Sequence, residues 1–382
     1  MDDASNLVAT LEKWCAIPSG SGNPDGLAEM RSALAARLAP LECELQDVPL
    51  ASGTAALVAR RRPEAALQVL LSGHLDTVYG PDHPVRECRH EGERLVGPGV
   101  ADMKGGLVVM CAALEAFEAH PDRDGLGWTV VAVPDEELGS PHSGALTREL
   151  ARRCSLAVVM EPASEGNPVR SRMGVGVFRL VVQGRAAHAG RNPQEGRNAV
   201  VALAELVTDV AGLHDAARGV LVNVARLGGG GATNVVPEFA VAEVDVRVTR
   251  PAQARDIPER LEYLAGAVSR RRDVTIRVEG HFHRPPMMAT PGSLALLQAV
   301  VECGVPLGLH LEGADVGGGS DAALIADEGV PVVDGMGVVG GELHSALEYC
   351  ETASLGQRAA LLSGLLVRLA RAEVWLPEWG PR

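Results

Sequence analysis

The pattern of hydrophobic and polar residues gives the first part of the chain a strand–helix alternation. Its apolar runs of strand length are residues 69–73, 128–133 and 156–160. Its segments with apolar residues at helical spacing are residues 6–38, with a break from Pro18 to Pro24, and 105–117. This alternation favours a parallel or mixed sheet that is covered by helices.

The pattern changes after about Arg172, where apolar and polar residues begin to alternate with a period of two. The predicted elements here are strands at 176–184, 221–227, 239–249 and 274–278 and helices at 198–213 and 258–269. Their β-α-β-β-α-β order is typical of a small two-layer α+β unit. We therefore predict an α/β main domain, formed by 1–172 and 285–382, with an inserted α+β domain at 173–284.

Acidic or histidine residues follow each apolar run of strand length in the main domain. They are His74, Asp76, Glu136, Glu137 and Glu161. Asp102 comes instead in a glycine-rich turn that leads into the helix at 105–117, and His344 comes near the end of the chain. Open α/β sheets place their sites at the carboxyl ends of their strands, so we expect these side chains to lie together. Histidine and carboxylate groups are the ligands of zinc and similar divalent ions.

Each cluster has an ordinary explanation when it is taken alone. His74 and Asp76 share one face of an extended segment, but this spacing is common, and Asp102 could be a helix N-cap. Glu136 and Glu137 could lie in a solvated loop. Adjacent carboxylates after a buried strand nevertheless repel each other unless a cation neutralises one of them, which favours Glu137 as a ligand and Glu136 as a general base.

Composition excludes several classes of function. A formal net charge of -14 argues against a nucleic-acid or anionic-membrane partner, and no apolar run is long enough to span a bilayer. The first residues lack the features of a secretory signal, and the seven cysteines show no paired spacing. We therefore expect a cytoplasmic protein with reduced thiols.

Taken together, the motifs resemble one family, that of the cocatalytic zinc peptidases and deacylases. This family includes glutamate carboxypeptidase (carboxypeptidase G), aminoacylase, acetylornithine deacetylase and succinyl-diaminopimelate desuccinylase. The matching segments are SGHLDTV (72–78), GPGVADMKGG (97–106), DEELGS (135–140), EP (161–162), GRAAHAG (184–190), TNVVP (233–237), DVR (245–247), GGSDAA (318–323) and LHS (343–345). They span nearly the whole chain and are specific in combination.

The resemblance implies a mixed central sheet of the zinc-exopeptidase type and a centre with two divalent ions. His74 and Glu161 would hold one ion, Glu137 and His344 would hold the other, and Asp102 would bridge them. Zinc is the family's usual metal, and the same ligands accept cobalt or manganese.

The resemblance also implies roles around this centre. Asp76 would orient the first metal-binding histidine, and Glu136 would be the general acid/base. In the inserted domain, which forms the lid and the dimer contact in many members, His188 would stabilise the tetrahedral oxyanion, often in the partner subunit's site. Asn234 and Arg247 would bind the substrate carboxylate, with the backbone near Gly319 helping. From the residues alone, His188 could be an ordinary turn histidine and Arg247 a surface residue.

The function predicted on this basis is hydrolysis of an amide bond next to a free carboxylate in a small acyl- or peptidyl-amino acid. The overall likeness is greatest to the glutamate carboxypeptidase branch, although members that prefer glutamate carry a lysine where Val169 stands, with Arg170 and Arg172 nearby. An N-acyl-amino-acid deacylase such as acetylornithine deacetylase is the alternative within the same chemistry. A non-catalytic, metal-stabilised peptide binder is the alternative from another class. A nucleotide enzyme is disfavoured because the Gly228–Gly231 run lacks a phosphate-binding spacing.

Overall fold

The computed structural model describes residues 4–80, 83 and 87–377. The α-helices in this part of the chain are α1 (Ala4–Cys15), α2 (Pro24–Leu38), α3 (Lys104–Glu118), α4 (Gly144–Ala151), α5 (Ala199–Ala211), α6 (Pro251–Arg272), α7 (Pro291–Gly304), α8 (Ala322–Asp327) and α9 (Thr352–Ala370). None of these helices combines the length and apolar character that a membrane-spanning helix requires.

The strands of the described residues form four sheets. They are β1 (Glu44–Pro49), β2 (Ala55–Arg61), β3 (Gln68–His74), β4 (Arg89–Glu91), β5 (Arg94–Val96), β6 (Gly127–Val133), β7 (Leu156–Val159), β8 (Val169–Arg172), β9 (Gly174–Gln183), β10 (Val220–Gly229), β11 (Phe239–Val248), β12 (Thr275–Arg284), β13 (Ala314–Val316), β14 (Val332–Val333), β15 (Gly340–Gly341) and β16 (Tyr349–Glu351).

The chain divides into two compact units. The first unit comprises residues up to Ser171, Ala289–Val316 and residues from Ser320 onward, and the second comprises Arg172–Met288 with Gly317–Gly319. The second unit is therefore inserted between two parts of the first. The Gly317–Gly319 turn belongs to the second unit even though it lies far beyond the inserted segment in sequence.

The first unit contains a six-stranded mixed sheet in the order β1-β2-β6-β3-β7-β14. The strands β6, β3, β7 and β14 are parallel, whereas β2 is antiparallel to β6 and β1 is antiparallel to β2. Every residue of β6 is buried, as expected for a strand covered on both faces. The predicted fold class, an α/β fold with a mixed central sheet flanked by helices, is confirmed.

Helix α3 approaches the sheet closely because its first turn contains glycine. A Cβ on Gly106 would lie 2.1 Å from the carbonyl oxygen of Met160, the residue that follows β7. No other amino acid fits at such a distance, so Gly106 sets the spacing between helix and strand. Because α3 begins two residues after Asp102, this packing also fixes the position of Asp102 beside the strand ends.

The second unit is a two-layer α+β structure. Its antiparallel sheet has the order β10-β11-β9-β12, and buried residues of α5 and α6 pack with one face of the sheet. The predicted start of the second helix at Pro258 is wrong, since α6 begins at Pro251 and contains Pro258 in its interior. Burial of Ile257, Leu261, Ala265 and Val268 outweighs the cost of an interior proline, about 3 kcal/mol.

Candidate metal centre

Parallel strands bring the predicted ligands to one edge of the central sheet. Strand β3 ends at His74, which lies opposite Val133, the last residue of β6. A 3-10 turn over Glu136–Leu138 follows β6, and Glu161 follows β7 by two residues. The ends of three buried strands therefore supply the histidine and the glutamates of the centre.

Asp102 lies between two histidines that are far apart in sequence. Its Oδ1 is 3.1 Å from Nε2 of His74, and its Oδ2 is 3.2 Å from Nε2 of His344. The peptide bond between Asp102 and Met103 is cis. Because each carboxylate oxygen faces a different histidine, Asp102 joins two groups of donor atoms.

A glutamate completes each group. Glu161 Oε1 lies 3.7 Å from Nε2 of His74, and Glu137 Oε2 lies 3.4 Å from Nε2 of His344. The structure thus brings together all five residues that the sequence analysis proposes as metal ligands. They form two sets of one histidine and one glutamate that share the carboxylate of Asp102.

Asp76 holds two parts of the centre at once. Its carboxylate accepts hydrogen bonds from the backbone N–H groups of Glu136 and Glu137, at 3.2 and 3.1 Å, and from the hydroxyl of Ser21 at 2.8 Å. Nδ1 of His74 lies 2.9 Å from the main-chain oxygen of Asp76 and 3.4 Å from its Oδ1. A proton on Nδ1 is therefore held by Asp76, which leaves Nε2 of His74 free to bind a cation.

The electrostatic environment of the two histidines favours positive charge. Burial lowers the pKa of His74, but hydrogen bonds with Asp102 and Asp76 outweigh burial and hold this pKa well above its ordinary value. Hydrogen bonds with Asp102 and Glu137 raise the pKa of His344 to about 10. The carboxylates that favour protonated histidines here would attract a divalent cation for the same Coulombic reason.

Burial of the carboxylates is consistent with a bound cation. Asp102 is 8% exposed and Glu161 is 7% exposed, and burial raises the pKa of Glu161 well above its ordinary value. Within the described residues, Oε1 of Glu137 is buried without a hydrogen-bond partner. A buried carboxylate oxygen without a donor is costly, and metal coordination would satisfy it. The residues present therefore fit a two-ion site.

Glu136 lies beside the first group of donors. Ligand-type atoms of Glu136, His74 and Glu161 lie within 4.8 Å of one another, and the Glu136 side chain is half-buried. The turn that carries Glu136 is closed by Asp135, whose carboxylate accepts a hydrogen bond of 2.8 Å from the backbone N–H of His142. Glu136 is thus close to the centre and held in a fixed turn.

The predicted substrate-binding residues lie in the second unit. His188 is exposed, and its segment pairs with that of Asn234 because the backbone N–H of Ala189 donates a 2.9 Å hydrogen bond to the Asn234 carbonyl. Nδ1 of His188 accepts a hydrogen bond of 3.1 Å from the backbone N–H of Gly190, which leaves its Nε2 available to donate. The structure therefore brings His188 and Asn234 together on one loop pair.

Arg247 lies on β11 with its guanidinium already hydrogen-bonded. Its Nε and Nη2 donate to the carboxylate of Asp245, at 3.0 and 3.2 Å, and its Nη1 donates to the carbonyl of Gly317 at 3.0 Å. Gly319, the predicted backbone contributor, belongs to the same glycine turn. Asp245 had no role in the prediction from sequence. Two residues of spacing on a strand place it on the same face as Arg247, which is the signal that could have identified it.

Tyr79 and Glu348 are further residues at the centre that sequence reasoning missed. Glu348 accepts a hydrogen bond of 3.0 Å from the backbone N–H of Asp102 and another from the Tyr79 hydroxyl, whose oxygen also lies 2.9 Å from the Ser345 carbonyl oxygen. The available signal was a glutamate four residues after His344, the predicted ligand, and just before β16.

Comparisons with known proteins agree with this geometry. The model for peptidase family M20/M25/M40 matches residues 70–368. Carboxypeptidase G2 of Pseudomonas sp. (strain RS-16) is 29% identical over 96% of this chain and 90% of its own length. Succinyl-diaminopimelate desuccinylase of Alkalilimnicola ehrlichii is 30% identical over 88% of this chain and 92% of its own.

Solved structures show the same fold. The aminopeptidase PepT of Bacillus cereus covers 96% of this chain and 99% of its own at 20% identity, with a TM-score of 0.82. A metallo-carboxypeptidase of Sulfolobus solfataricus covers 97% of this chain and 100% of its own at 17% identity, with a TM-score of 0.74. The predicted family resemblance and the predicted hydrolase class are confirmed by the family match and the curated relatives. The chain belongs to peptidase family M20/M25/M40.

Proposed function

We propose that this hydrolase is a dinuclear zinc enzyme that cleaves an amide bond next to a free carboxylate in a small peptidyl- or acyl-amino acid. The observation that carries the proposal is the shared carboxylate of Asp102 between two histidine–glutamate sets. Two bound divalent ions would supply the positive charge that polarises the scissile carbonyl and makes water more acidic. Cobalt or manganese would fit the same ligands.

Glu136 is the general base and then the general acid of this proposal. Its carboxylate accepts a proton as water oxygen adds to the carbonyl carbon, and it donates that proton to the nitrogen when the C–N bond breaks. Asp76 keeps Glu136 in place through the backbone of the glutamate turn. The proton therefore moves from water to the leaving amine through one fixed side chain.

The proposed substrate class rests on Arg247, Asn234 and the Gly319 backbone. Of the five N–H groups of Arg247, three donate to Asp245 and Gly317, which leaves one on each terminal nitrogen for two parallel hydrogen bonds to a carboxylate. Val169 stands where glutamate-preferring members carry a lysine, and its side chain is buried. The neighbouring Arg170 donates to the carboxylate of Asp315 at 3.0 and 2.8 Å. The proposal therefore names an amino acid with a free carboxylate and specifies no side chain.

A carboxypeptidase is the leading assignment, because carboxypeptidase G2 aligns over nearly the whole chain. A deacylase of N-acyl-amino acids is the alternative, supported by relatives that are named desuccinylases. A carboxypeptidase or a deacylase should hydrolyse its substrate until a chelator is added, whereas a non-catalytic peptide binder should not hydrolyse it at all.

Substitution of Arg247 tests the proposed substrate class. Arg247→Ala is expected to raise KM by roughly 10- to 100-fold with little change in kcat, since charge-assisted hydrogen bonds contribute about 1.5–3 kcal/mol. Arg247→Lys should restore only part of the loss, because an ammonium group lacks the guanidinium fork. The measurement is steady-state kinetics on a panel of acyl- and peptidyl-amino acids, each compared with its carboxamide.

A matched control for Arg247 lies on the neighbouring strand. Arg226 of β10 also pairs with a carboxylate, Glu243, at 3.4 Å, but it is largely exposed. Arg226→Ala should leave KM unchanged. The proposed specificity for a free carboxylate is wrong if the wild-type protein hydrolyses carboxamides and free acids equally fast and Arg247→Ala leaves KM unchanged.

Substitution of His188 tests oxyanion stabilisation. His188→Ala is expected to lower kcat by roughly 10²- to 10³-fold, because an oxyanion donor acts mainly in the transition state. His214 is a matched control, since its Nδ1 also accepts a backbone N–H, that of Val222 at 3.2 Å. His214→Ala should retain activity. Equal kcat values for wild type and His188→Ala would remove His188 from the mechanism.

The inserted unit is also the proposed dimer contact, as the family resemblance implies. We place the protein in the cytoplasm, a location supported by its seven cysteines, all of which are free thiols.

A further inference from the structure

A buried tyrosine–glutamate pair connects the segments that carry the metal ligands. Glu348 Oε1 accepts hydrogen bonds from the backbone N–H groups of Ala101, at 2.9 Å, and Asp102, at 3.0 Å. Its Oε2 accepts from the Tyr79 hydroxyl, which also lies 2.9 Å from the carbonyl oxygen of Ser345. The pair therefore contacts the backbone of Asp102 itself and that of the residue next to His344.

The burial of this pair indicates a specific role. Glu348 is 1% exposed and Tyr79 is 6% exposed, so both side chains make their contacts with the protein rather than with solvent. A buried carboxyl group is costly unless donors compensate for its lost hydration. The donors that compensate Glu348 are two backbone N–H groups and one hydroxyl, and all of them belong to segments beside metal ligands.

The pair also joins three segments that are distant in sequence. Tyr79 follows β3, whose last residue is His74, while Glu348 is four residues beyond His344. Asp102 and Glu348 are separated by 246 residues. Within the described residues, neither Tyr79 nor Glu348 belongs to a group that could hold a metal ion. Their contacts are with the backbone of the ligand-bearing segments rather than with the ligand side chains.

We propose that Glu348 and Tyr79 are positioning residues that hold Asp102 and His344 at the spacing required by two metal ions. This inference rests on the proposed dinuclear function and deepens it. Glu348 fixes the backbone from which the shared carboxylate of Asp102 extends. Tyr79 connects Glu348 to the Ser345 carbonyl and so fixes the loop that presents His344.

The test is the zinc affinity of purified variants, measured by competition with a chromophoric chelator. Glu348→Ala is expected to weaken zinc binding by roughly 10- to 100-fold, the usual effect of losing a group that orients metal ligands. Its kcat should fall while its KM changes little, because the Glu348 side chain is buried and its hydrogen bonds are all with the protein. Tyr79→Phe removes only the hydroxyl and should weaken binding less, by roughly 2- to 10-fold.

Glu348→Gln separates hydrogen bonding from charge. Glutamine can accept the two backbone hydrogen bonds through its oxygen and donate its amide N–H to the Tyr79 hydroxyl oxygen. The hydroxyl proton of Tyr79 is then available to the Ser345 carbonyl. Glu348→Gln should therefore bind zinc nearly as tightly as the wild type. If it binds zinc as weakly as Glu348→Ala, the hydrogen-bonding role is wrong.

Glu118→Ala is the control for general loss of stability. Glu118 is also buried and accepts a hydrogen bond from Trp128 Nε1 at 2.7 Å, but it lies at the other end of α3, about 20 Å along the helix axis. Glu118→Ala should lower the Tm of the apoprotein without changing zinc affinity. Wild-type zinc affinity in Glu348→Ala would overturn the positioning role alone. A wild-type protein that binds no metal would instead overturn the proposed function.

Discussion

Glu136→Gln is expected to lower kcat by roughly 10²- to 10⁴-fold while the protein keeps its full complement of metal. The amide of glutamine has nearly the shape of the carboxylate but cannot accept the proton that water must lose, and general-base catalysis is worth about this much. The backbone hydrogen bond from residue 136 to Asp76 does not depend on the side chain, so the turn should keep its structure. The measurements are steady-state kinetics and metal analysis of the same preparation.

The adjacent glutamate is the matched comparison for this experiment. Glu137 lies in the same turn, and its Oε2 is 3.4 Å from Nε2 of His344. Glu137→Gln should lose metal as well as activity, whereas Glu136→Gln should lose activity alone. If Glu136→Gln loses metal and the remaining holoenzyme turns over normally, the roles assigned to the two glutamates are exchanged.

Removal of the metal is expected to abolish hydrolysis, and the purified holoenzyme should contain about two divalent ions per chain. Asp102→Ala should reduce the content below one ion per chain, because Asp102 is the carboxylate that both sets share. The measurements are metal analysis by mass spectrometry and activity after dialysis against a chelator. Added zinc should restore the activity of the dialysed wild-type protein.

A surface histidine provides the control for metal content. His90 also lies beside a carboxylate, with its Nε2 2.7 Å from Oε1 of Glu12, but the pair is exposed and offers only two donors. His90→Ala should leave metal content and activity unchanged. Full activity in a preparation shown to be free of metal would contradict the whole mechanism.

Three of the five proposed metal ligands could be predicted from the sequence because their position follows from one physical rule, whereas Asp102 and His344 were assigned from the family resemblance. His74, Glu137 and Glu161 each come at or just after the end of a buried strand, and parallel strands bring such residues to a common edge. Apolar runs made those strands recognisable. The edge strand β1 was not recognisable in this way, since most of its residues are exposed and show no alternation.

The supporting residues could not be predicted because their roles depend on backbone groups that meet only in the folded chain. The position of Glu348 four residues after His344 suggests that it lies near the centre, but it does not indicate that the backbone N–H groups of Ala101 and Asp102 donate to it. Asp76 was expected to orient His74, but its hold on the backbone of the glutamate turn depends on the pairing of β3 with β6. Side-chain type indicates chemistry, whereas such contacts are a property of tertiary structure.

The separation of the ligands along the chain has a consequence for the order in which the protein folds. Asp102 and His344 are 242 residues apart, and the whole inserted unit is made between them. During synthesis, the continuous segment Arg172–Met288 is complete before the last ligand has been made, and domains generally fold as units. Metal binding stabilises a chain only when the ligands are assembled, so a metal ion could stabilise both proposed sets only after residue 344 has left the ribosome. The nascent chain therefore lacks one of the two histidine–glutamate sets for most of its synthesis.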